Sequence, residues 1–300
     1  MKTFQTNDGI KIRFKTFACQ SAACKGTVVL LSGRSEFIEK YLETVDDLIK
    51  RHFDVFTFDW RGQGLSDRLL PNRHKGYVAS YDDYLEDLNI FMDTIVKPKA
   101  KQPIIFLAHS MGAHITLRYL HDYPKVVDRA VLTSPLIDIP GPEWLKQVLR
   151  LLVHLVTQLG FKTRYATRSM NFDPTKKHFL GNQLTNDRRR FQDTIDKILT
   201  NPNLAVGGVT FGWLSAMFAS IRQMSAKNFC QHITTPILIL SAGSDTIVST
   251  KHHQIVCQRL PNCRLITISG ALHEILIETD AVREKIWVQF DDFVVSPNQN

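Results

Sequence analysis

The chain has 300 residues, 44% hydrophobic and 22% charged, an ordinary globular composition with enough length to bury a large core. A net charge of +8 and a pI near 9.2 favour anionic partners (nucleic acid, an acidic membrane surface or an anionic substrate) without choosing among them. No uncharged run reaches the roughly 18 to 20 residues of a membrane span, and the start, Met1 to Asp8, has no apolar leader, so a soluble or peripheral protein is expected.

In chain order, Lys2 to Thr6 and Lys11 to Thr16 flank Asn7-Asp8-Gly9 and predict a hairpin. Short apolar, often β-branched runs then predict buried strands at Gly26–Leu31, Phe53–Phe58, Gln102–Leu107, Arg129–Thr133, Pro236–Leu240 and Arg264–Ile268. Apolar residues three or four apart predict helices over Phe37–Arg51, Tyr81–Val96, Met111–Tyr123, Lys251–Leu260 and Ala281–Val294. This alternation implies βαβ units and an α/β fold with a mostly parallel sheet flanked by helices. From about Leu136 to His232 only helical patterns and loops occur. The segment is too long for an ordinary connection. It is read as a helical cap, 136–232, inserted into a catalytic core of 1–135 and 233–300. Five cysteines, Cys19, Cys24, Cys230, Cys257 and Cys263, are an odd number without repeated spacing. They argue against a disulfide framework and fit a reducing, cytoplasmic compartment. Cys257 and Cys263 lack the tight pairing of a zinc knuckle.

The chemistry centres on Ile104 to Leu107 followed by Ala108-His109-Ser110-Met111-Gly112: an apolar strand turning sharply into a helix around a serine. Such a turn strains the serine backbone and lifts its hydroxyl above the sheet at a helix N-terminus, where developing negative charge is favoured. The positions two before and two after must be small, because strand and helix cross there. Ala108 and Gly112 satisfy this, although glycine is the usual first residue. An unactivated serine is a poor nucleophile and needs a base oriented by a carboxylate. In the expected order, Asp245 follows the Ile237 strand and His273 follows the Ile266 strand. Asp138 and Asp280 are rival acids. Two backbone donors should hold the oxyanion: the N–H of Met111, and that of Arg34 in the Ser32-Gly33-Arg34-Ser35-Glu36 loop. Asp59-Trp60-Arg61-Gly62-Gln63-Gly64-Leu65-Ser66 lacks the third glycine and the Lys-Ser/Thr pair of phosphate loops. It is read as a tight loop whose Asp59 and Arg61 brace the nucleophile turn. No metal or organic cofactor is called for.

These segments resemble the α/β-hydrolase superfamily, and more narrowly the bacterial lysophospholipase and monoacylglycerol-lipase group. The resemblance is carried by Gly33-Arg34-Ser35-Glu36, the Asp59–Ser66 loop, Ala108–Gly112, Ala242-Gly243-Ser244-Asp245-Thr246-Ile247-Val248 and Leu272-His273-Glu274-Ile275-Leu276. Gly207-Gly208-Val209-Thr210-Phe211-Gly212-Trp213-Leu214 looks like the lysophospholipase branch. Ser32 departs from the usual His-Gly start of its loop. The resemblance implies an α/β-hydrolase fold, a triad at Ser110, Asp245 and His273, oxyanion donors at Arg34 and Met111, and hydrolysis of single-chain lipid esters. Dehalogenases and epoxide hydrolases of this fold carry Asp at the nucleophile, so they are disfavoured.

Within the insertion, Trp144, Leu145, Val148, Leu149, Leu152, Leu155, Val156 and Leu159 recur at helical spacing, with Lys146, Gln147, Arg150, His154 and Gln158 mainly opposite. The plain expectation is a helix packed by its apolar face onto the core; the functional one is an acyl-chain wall or a membrane-contacting lid. A basic run follows at Lys162, Arg164, Arg168, Lys176, Lys177, Arg188, Arg189 and Arg190, suited to anionic headgroups and so to peripheral contact with an anionic membrane. Aromatics are not interleaved as base-stacking platforms, so no nucleic-acid partner is expected.

Overall fold

The computed structural model describes residues 1–20, 23–166 and 170–295; Arg168 lies outside them. β1 (Lys2–Gln5) and β2 (Lys11–Phe17) form the expected hairpin. The buried apolar runs become β3 (Gly26–Leu31), β4 (Phe53–Phe58), β5 (Ile104–His109), β6 (Arg129–Thr133), β7 (Ile237–Ala242) and β8 (Cys263–Ile268). One sheet results, in the order β1-β2-β4-β3-β5-β6-β7-β8. It is parallel from β4 to β8 and antiparallel where β2 meets β1 and β4.

The helices are α1 (Leu42–Lys50), α2 (Tyr81–Phe91), α3 (Met111–Asp122), α4 (Glu143–Gln158), α5 (Arg188–Thr200), α6 (Phe211–Met224), α7 (Thr250–Arg259) and α8 (Asp280–Val295). The sheet is apolar on both faces. Phe106 and Ala108 of β5 pack with α2 and α3 on one side, and Ile105 and Leu107 pack with α1 and α8 on the other. Alternate residues of one strand thus serve two cores, which is why the strands read as unbroken apolar runs.

Between β6 and β7 lie α4, α5 and α6, and no named strand forms there among the described residues. The segment is anchored near the C-terminal edge of the sheet. Glu274 N–H donates to Leu184 O (2.8 Å), and Thr185 Oγ1 donates to Ile277 O (2.7 Å). Arg190 is buried and binds Glu43, Asp187 and Asp280. It is therefore an internal clamp, unlike its exposed neighbours Arg188 and Arg189 in the expected basic run.

Two expectations are corrected. Cys257 and Cys263 form a disulfide. The end of α7 and a tight turn carry the chain straight back into β8, so residues six apart come within 5.3 Å at Cα. The odd cysteine count hid a local pair, and the thiol argument for a reducing compartment goes with it. Cys19 and Cys230 stay buried thiols, and Cys24 is half-buried.

The second correction is α4, which turns a mixed face inward instead of its apolar stripe. Lys146 and Val153 are its buried residues, while Trp144, Val148 and Leu155 are 66%, 57% and 51% exposed. Lys146 is drawn inward by Asp138, with Nζ 2.5 Å from Oδ2, and Arg150 lies near the same carboxylate. Most of the apolar stripe faces outward; Leu149 and Val156 are half-buried, and Leu149 packs against the core.

Buried histidines tie these layers together. His114 of α3 binds Leu136 O (2.7 Å) and Ser220 Oγ of α6 (2.6 Å); His253 of α7 binds Ser241 Oγ of β7 and Pro135 O (both 2.8 Å). Burial pushes both, and His109, down to about 4. An unfolded histidine takes its proton near pH 6.5. Between pH 6.5 and 4 the unfolded chain therefore binds more protons than the folded one, and stability falls as pH falls. The thermal midpoint is expected to drop steadily over that window, less steeply in His253→Gln. A midpoint flat from pH 6.5 to 4 would rule out these histidines as a source of pH-dependent stability.

Candidate active site

Ser110 joins β5 to α3 at φ +51 and ψ −111, a backbone conformation that L-residues rarely adopt. Surrounding bonds hold it there: Ser110 N–H donates to Thr133 O (3.0 Å), and Ser110 O accepts from His114 and Leu136 N–H. The crossing is tight. A Cβ on Gly112 would lie 2.5 Å from Ser32 O, so only glycine fits. Ala108 is fully buried, and its methyl is accommodated.

The structure brings Ser110, His273 and Asp245 together. His273 Nε2 is 3.0 Å from Ser110 Oγ, and its Nδ1 is 2.7 Å from Asp245 Oδ2. The second Asp245 oxygen accepts the N–H groups of Ile247 (2.8 Å) and Val248 (3.1 Å). Burial raises the pKa of Asp245, but the His273 bond and these two amides outweigh it, leaving the carboxyl below its ordinary value. The rivals are elsewhere: Asp138 binds Lys146, and Asp280 binds Arg190.

The backbone N–H groups of Arg34 and Met111 have no hydrogen-bond acceptor among the described residues. The Arg34 loop abuts the serine, since a Cβ on Gly33 would meet Ser110 Cβ at 3.2 Å. Met111 directly follows the serine and Arg34 directly follows Gly33, so both unbonded donors belong to segments that meet at Ser110.

What fixes the Arg34 loop was missed in the sequence. Glu36 accepts Gly33 N–H and Tyr41 O–H on one oxygen and Lys40 Nζ (2.9 Å) on the other. Lys40 also binds Glu274 (2.5 Å), the neighbour of His273. A buried Glu36–Lys40–Glu274 chain therefore joins the oxyanion loop to the histidine loop. Burial disfavours the Glu36 charge, yet Lys40 and His109 hold it well below the usual carboxylate range; burial raises Glu274. Gln63 grips the same loop, donating to Gly33 O (3.1 Å) and accepting Ser35 N–H (2.7 Å), and Trp60 Nε1 donates to Ser32 O (2.8 Å). The Asp59–Ser66 loop thus braces the oxyanion loop, where the nucleophile turn was expected. Asp59 itself holds Arg13, Ile38 and Leu65, and Arg61 holds Asp8 and Asp87. Nothing local signals this role for Gln63, because its partners lie 28 to 30 residues away.

A cavity of about 270 Å³ opens over Ser110. Its apolar wall includes Leu149 of α4, Trp213 and Met217 of α6, and Ile247, so the insertion supplies much of it. A larger cavity, about 600 Å³, lies between α4, α6 and α7 and does not reach Ser110.

The sheet order, the strained serine turn and the serine–histidine–carboxylate chain define a serine hydrolase of the α/β-hydrolase class. The chain belongs to the Hydrolase_4 family (serine aminopeptidase, S33), whose model matches residues 22–280. It is 32% identical over 291 residues to lysophospholipase L2 of Escherichia coli, covering 92% of this chain and 82% of that protein. It is 30% identical to the probable lysophospholipase L2 of Haemophilus influenzae, covering 95% and 88%. Among solved structures, a soluble variant of monoglyceride lipase from Saccharomyces cerevisiae in complex with a substrate analog superposes with a TM-score of 0.78 at 20% identity, covering 98% and 94%. At that identity the last likeness concerns the fold alone. No helix among the described residues is long and apolar enough to cross a membrane.

Proposed function

We propose that the protein is a lysophospholipase, a carboxylic ester hydrolase acting on single-chain phospholipids. The observation carrying this is the Ser110–His273–Asp245 chain at the floor of an apolar cavity, supported by the likeness to lysophospholipase L2. His273 takes the Ser110 proton as Oγ attacks the ester carbonyl. Asp245 orients the imidazole and stabilises its cation, and the Arg34 and Met111 amides hold the oxyanion. Water then cleaves the acyl-enzyme, with His273 again the base. Residues 136–232 act as a cap whose inner wall receives the acyl chain.

The family description names an aminopeptidase, but the cavity over Ser110 favours an ester. Its carboxylates, Glu36 and Glu274, are both bonded to Lys40, leaving no anion free to bind a substrate amino terminus. Monoacylglycerol hydrolysis is the second reading, favoured by 24% identity to the monoglyceride lipase of Saccharomyces cerevisiae. A short-chain esterase or thioesterase would not need the apolar wall. A panel of lysophosphatidylcholine, monoacylglycerol and acetyl esters decides: kcat/KM should be highest for the long-chain lysophospholipid. Equal or better turnover of the acetyl ester sinks the lipid reading.

The outward apolar stripe of α4, beside exposed Lys162 and Arg164, suits insertion into an anionic lipid surface. Vesicles containing phosphatidylglycerol should bind the protein in a salt-sensitive way, and Trp144→Ser with Leu155→Ser should weaken it roughly tenfold or more. Equal binding to neutral and anionic vesicles removes the electrostatic part; no effect of the α4 changes removes the helix.

A further inference from the structure

We infer that the Arg34 side chain is the phosphate-recognising residue, holding the phosphodiester of a single-chain phospholipid where two cavities meet, while the acyl chain occupies the apolar one. This rests on the lysophospholipase reading and adds a residue that selects among lipid esters.

The first observation is a missing counter-ion. Arg34 is half-buried. The arginines with buried side chains are matched: Arg13 with Glu39 and Asp59, Arg61 with Asp8 and Asp87, Arg118 with Asp82, Arg190 with Glu43, Asp187 and Asp280, and Arg283 with Asp47. Half-buried Arg68 also lacks a carboxylate, but it donates to Asn203 O and does not line the cavity over Ser110. No carboxylate lies within salt-bridge distance of Arg34 among the described residues. Its guanidinium is instead held by neutral groups. Nη1 donates to Gly207 O (3.1 Å), and the group sits over the Trp213 ring at 5.8 Å. Burial presses its pKa downward, the mark of a cation short of neutralising partners. A guanidinium has five N–H donors in a fixed fork that suits phosphate, and one is accounted for by Gly207.

The second observation is position. Arg34 lines both the cavity over Ser110 and an adjoining one of about 480 Å³. The adjoining cavity also carries Lys176 and Lys177. Its carboxylates are engaged: Glu36 and Glu274 by Lys40, and Asp173 by Lys176 at 3.5 Å. Lys177 lies over the Phe172 ring and, like Arg34, has no carboxylate at salt-bridge distance among the described residues. The cavity therefore keeps one cation in excess. The chamber over Ser110 is lined largely by apolar side chains, the neighbouring one is cationic, and Arg34 stands at their junction.

The third is the chemistry of the substrate. In a lysophospholipid only a glycerol unit separates the ester from the phosphate. Arg34 suits that spacing: its main chain follows Gly33, which abuts the serine, and its guanidinium lies a side chain's length away. The lysophospholipase-like stretch Gly207 to Leu214 supplies the acceptor and the ring that fix it. Gly207 is close-packed there, since a Cβ would lie 2.5 Å from Met170 O.

The test measures kcat/KM for lysophosphatidylcholine and for the monoacylglycerol of the same chain in wild type, Arg34→Gln and Arg34→Lys, with thermal midpoints as a folding control. Ether analogues of both lipids, which contain no ester, are titrated for binding. Arg34→Gln should lower the lysophospholipid-to-monoacylglycerol ratio at least tenfold, mainly through KM, and Arg34→Lys should recover part of it. The ether lysolipid should bind wild type at least tenfold tighter than the ether glycerol, and Arg34→Gln should erase that preference. An equal loss on both lipids, or no loss on either, overturns the inference. Inorganic phosphate is titrated in parallel; Arg34-dependent binding as tight as the lysolipid's would make this a free-anion site and overturn the lipid assignment. If wild type cleaves neither lipid, the lysophospholipase reading fails, and the ether titration still decides for or against Arg34.

Discussion

Ser110→Ala and His273→Ala are each expected to lower kcat on the order of 10⁶-fold, and Asp245→Asn about 10⁴-fold. The serine and histidine losses should not add, because they act as one unit: the histidine has nothing to deprotonate without Ser110, and Ser110 is inert without its base. All three proteins should fold. Ser110 is held at positive φ by backbone bonds that its hydroxyl does not make, so alanine keeps the turn. A fluorophosphonate should label the wild type covalently and fail to label Ser110→Ala and His273→Ala. Absence of labelling in the wild type would favour a ligand receptor on a hydrolase scaffold.

The second large effect concerns stability. Lys40→Met is expected to destabilise the fold by about 3–5 kcal/mol. Lys40 is the shared cation between Glu36 and Glu274, and all three side chains are nearly excluded from solvent. Removing it leaves two buried carboxylates facing each other. For a domain of this size the thermal midpoint should fall by roughly 10 °C. Adding Glu274→Gln should recover part of the loss, since it removes one of the stranded charges and Glu274 is the carboxyl that burial already favours as neutral. A drop under about 1 kcal/mol in Lys40→Met, or no recovery in the double variant, would mean that the carboxylates escape to water and the chain is not a structural tie. Because the same chain links the Gly33–Glu36 loop to Glu274, kcat should fall alongside stability and recover with it.

These two sites differ in how they are written in the sequence. Ser110, Asp245 and His273 each follow an apolar strand, so their order and spacing along the chain are enough to single them out. The Glu36–Lys40–Glu274 chain spans 234 residues between Lys40 and Glu274, and nothing local marks the partners. The same holds for Gln63. A glutamine in a glycine loop has no preferred partner until the fold brings Gly33 and Ser35 beside it.

The sheet, the serine turn and the order of the hydrolytic residues are all legible in the linear chain. Strands buried on both faces must be apolar throughout, and only a small residue fits where β5 crosses into α3, so those features are local. Three matters depend instead on long-range packing. Most of the α4 stripe turns outward, because the attraction of Asp138 for Lys146 and Arg150 outweighs the rule that apolar faces go in. The Cys257–Cys263 bridge closes, because a helix end and a turn bring two unremarkable positions together. Arg34 is left without a counter-ion, a property of everything around the guanidinium and therefore invisible in the five letters of its loop.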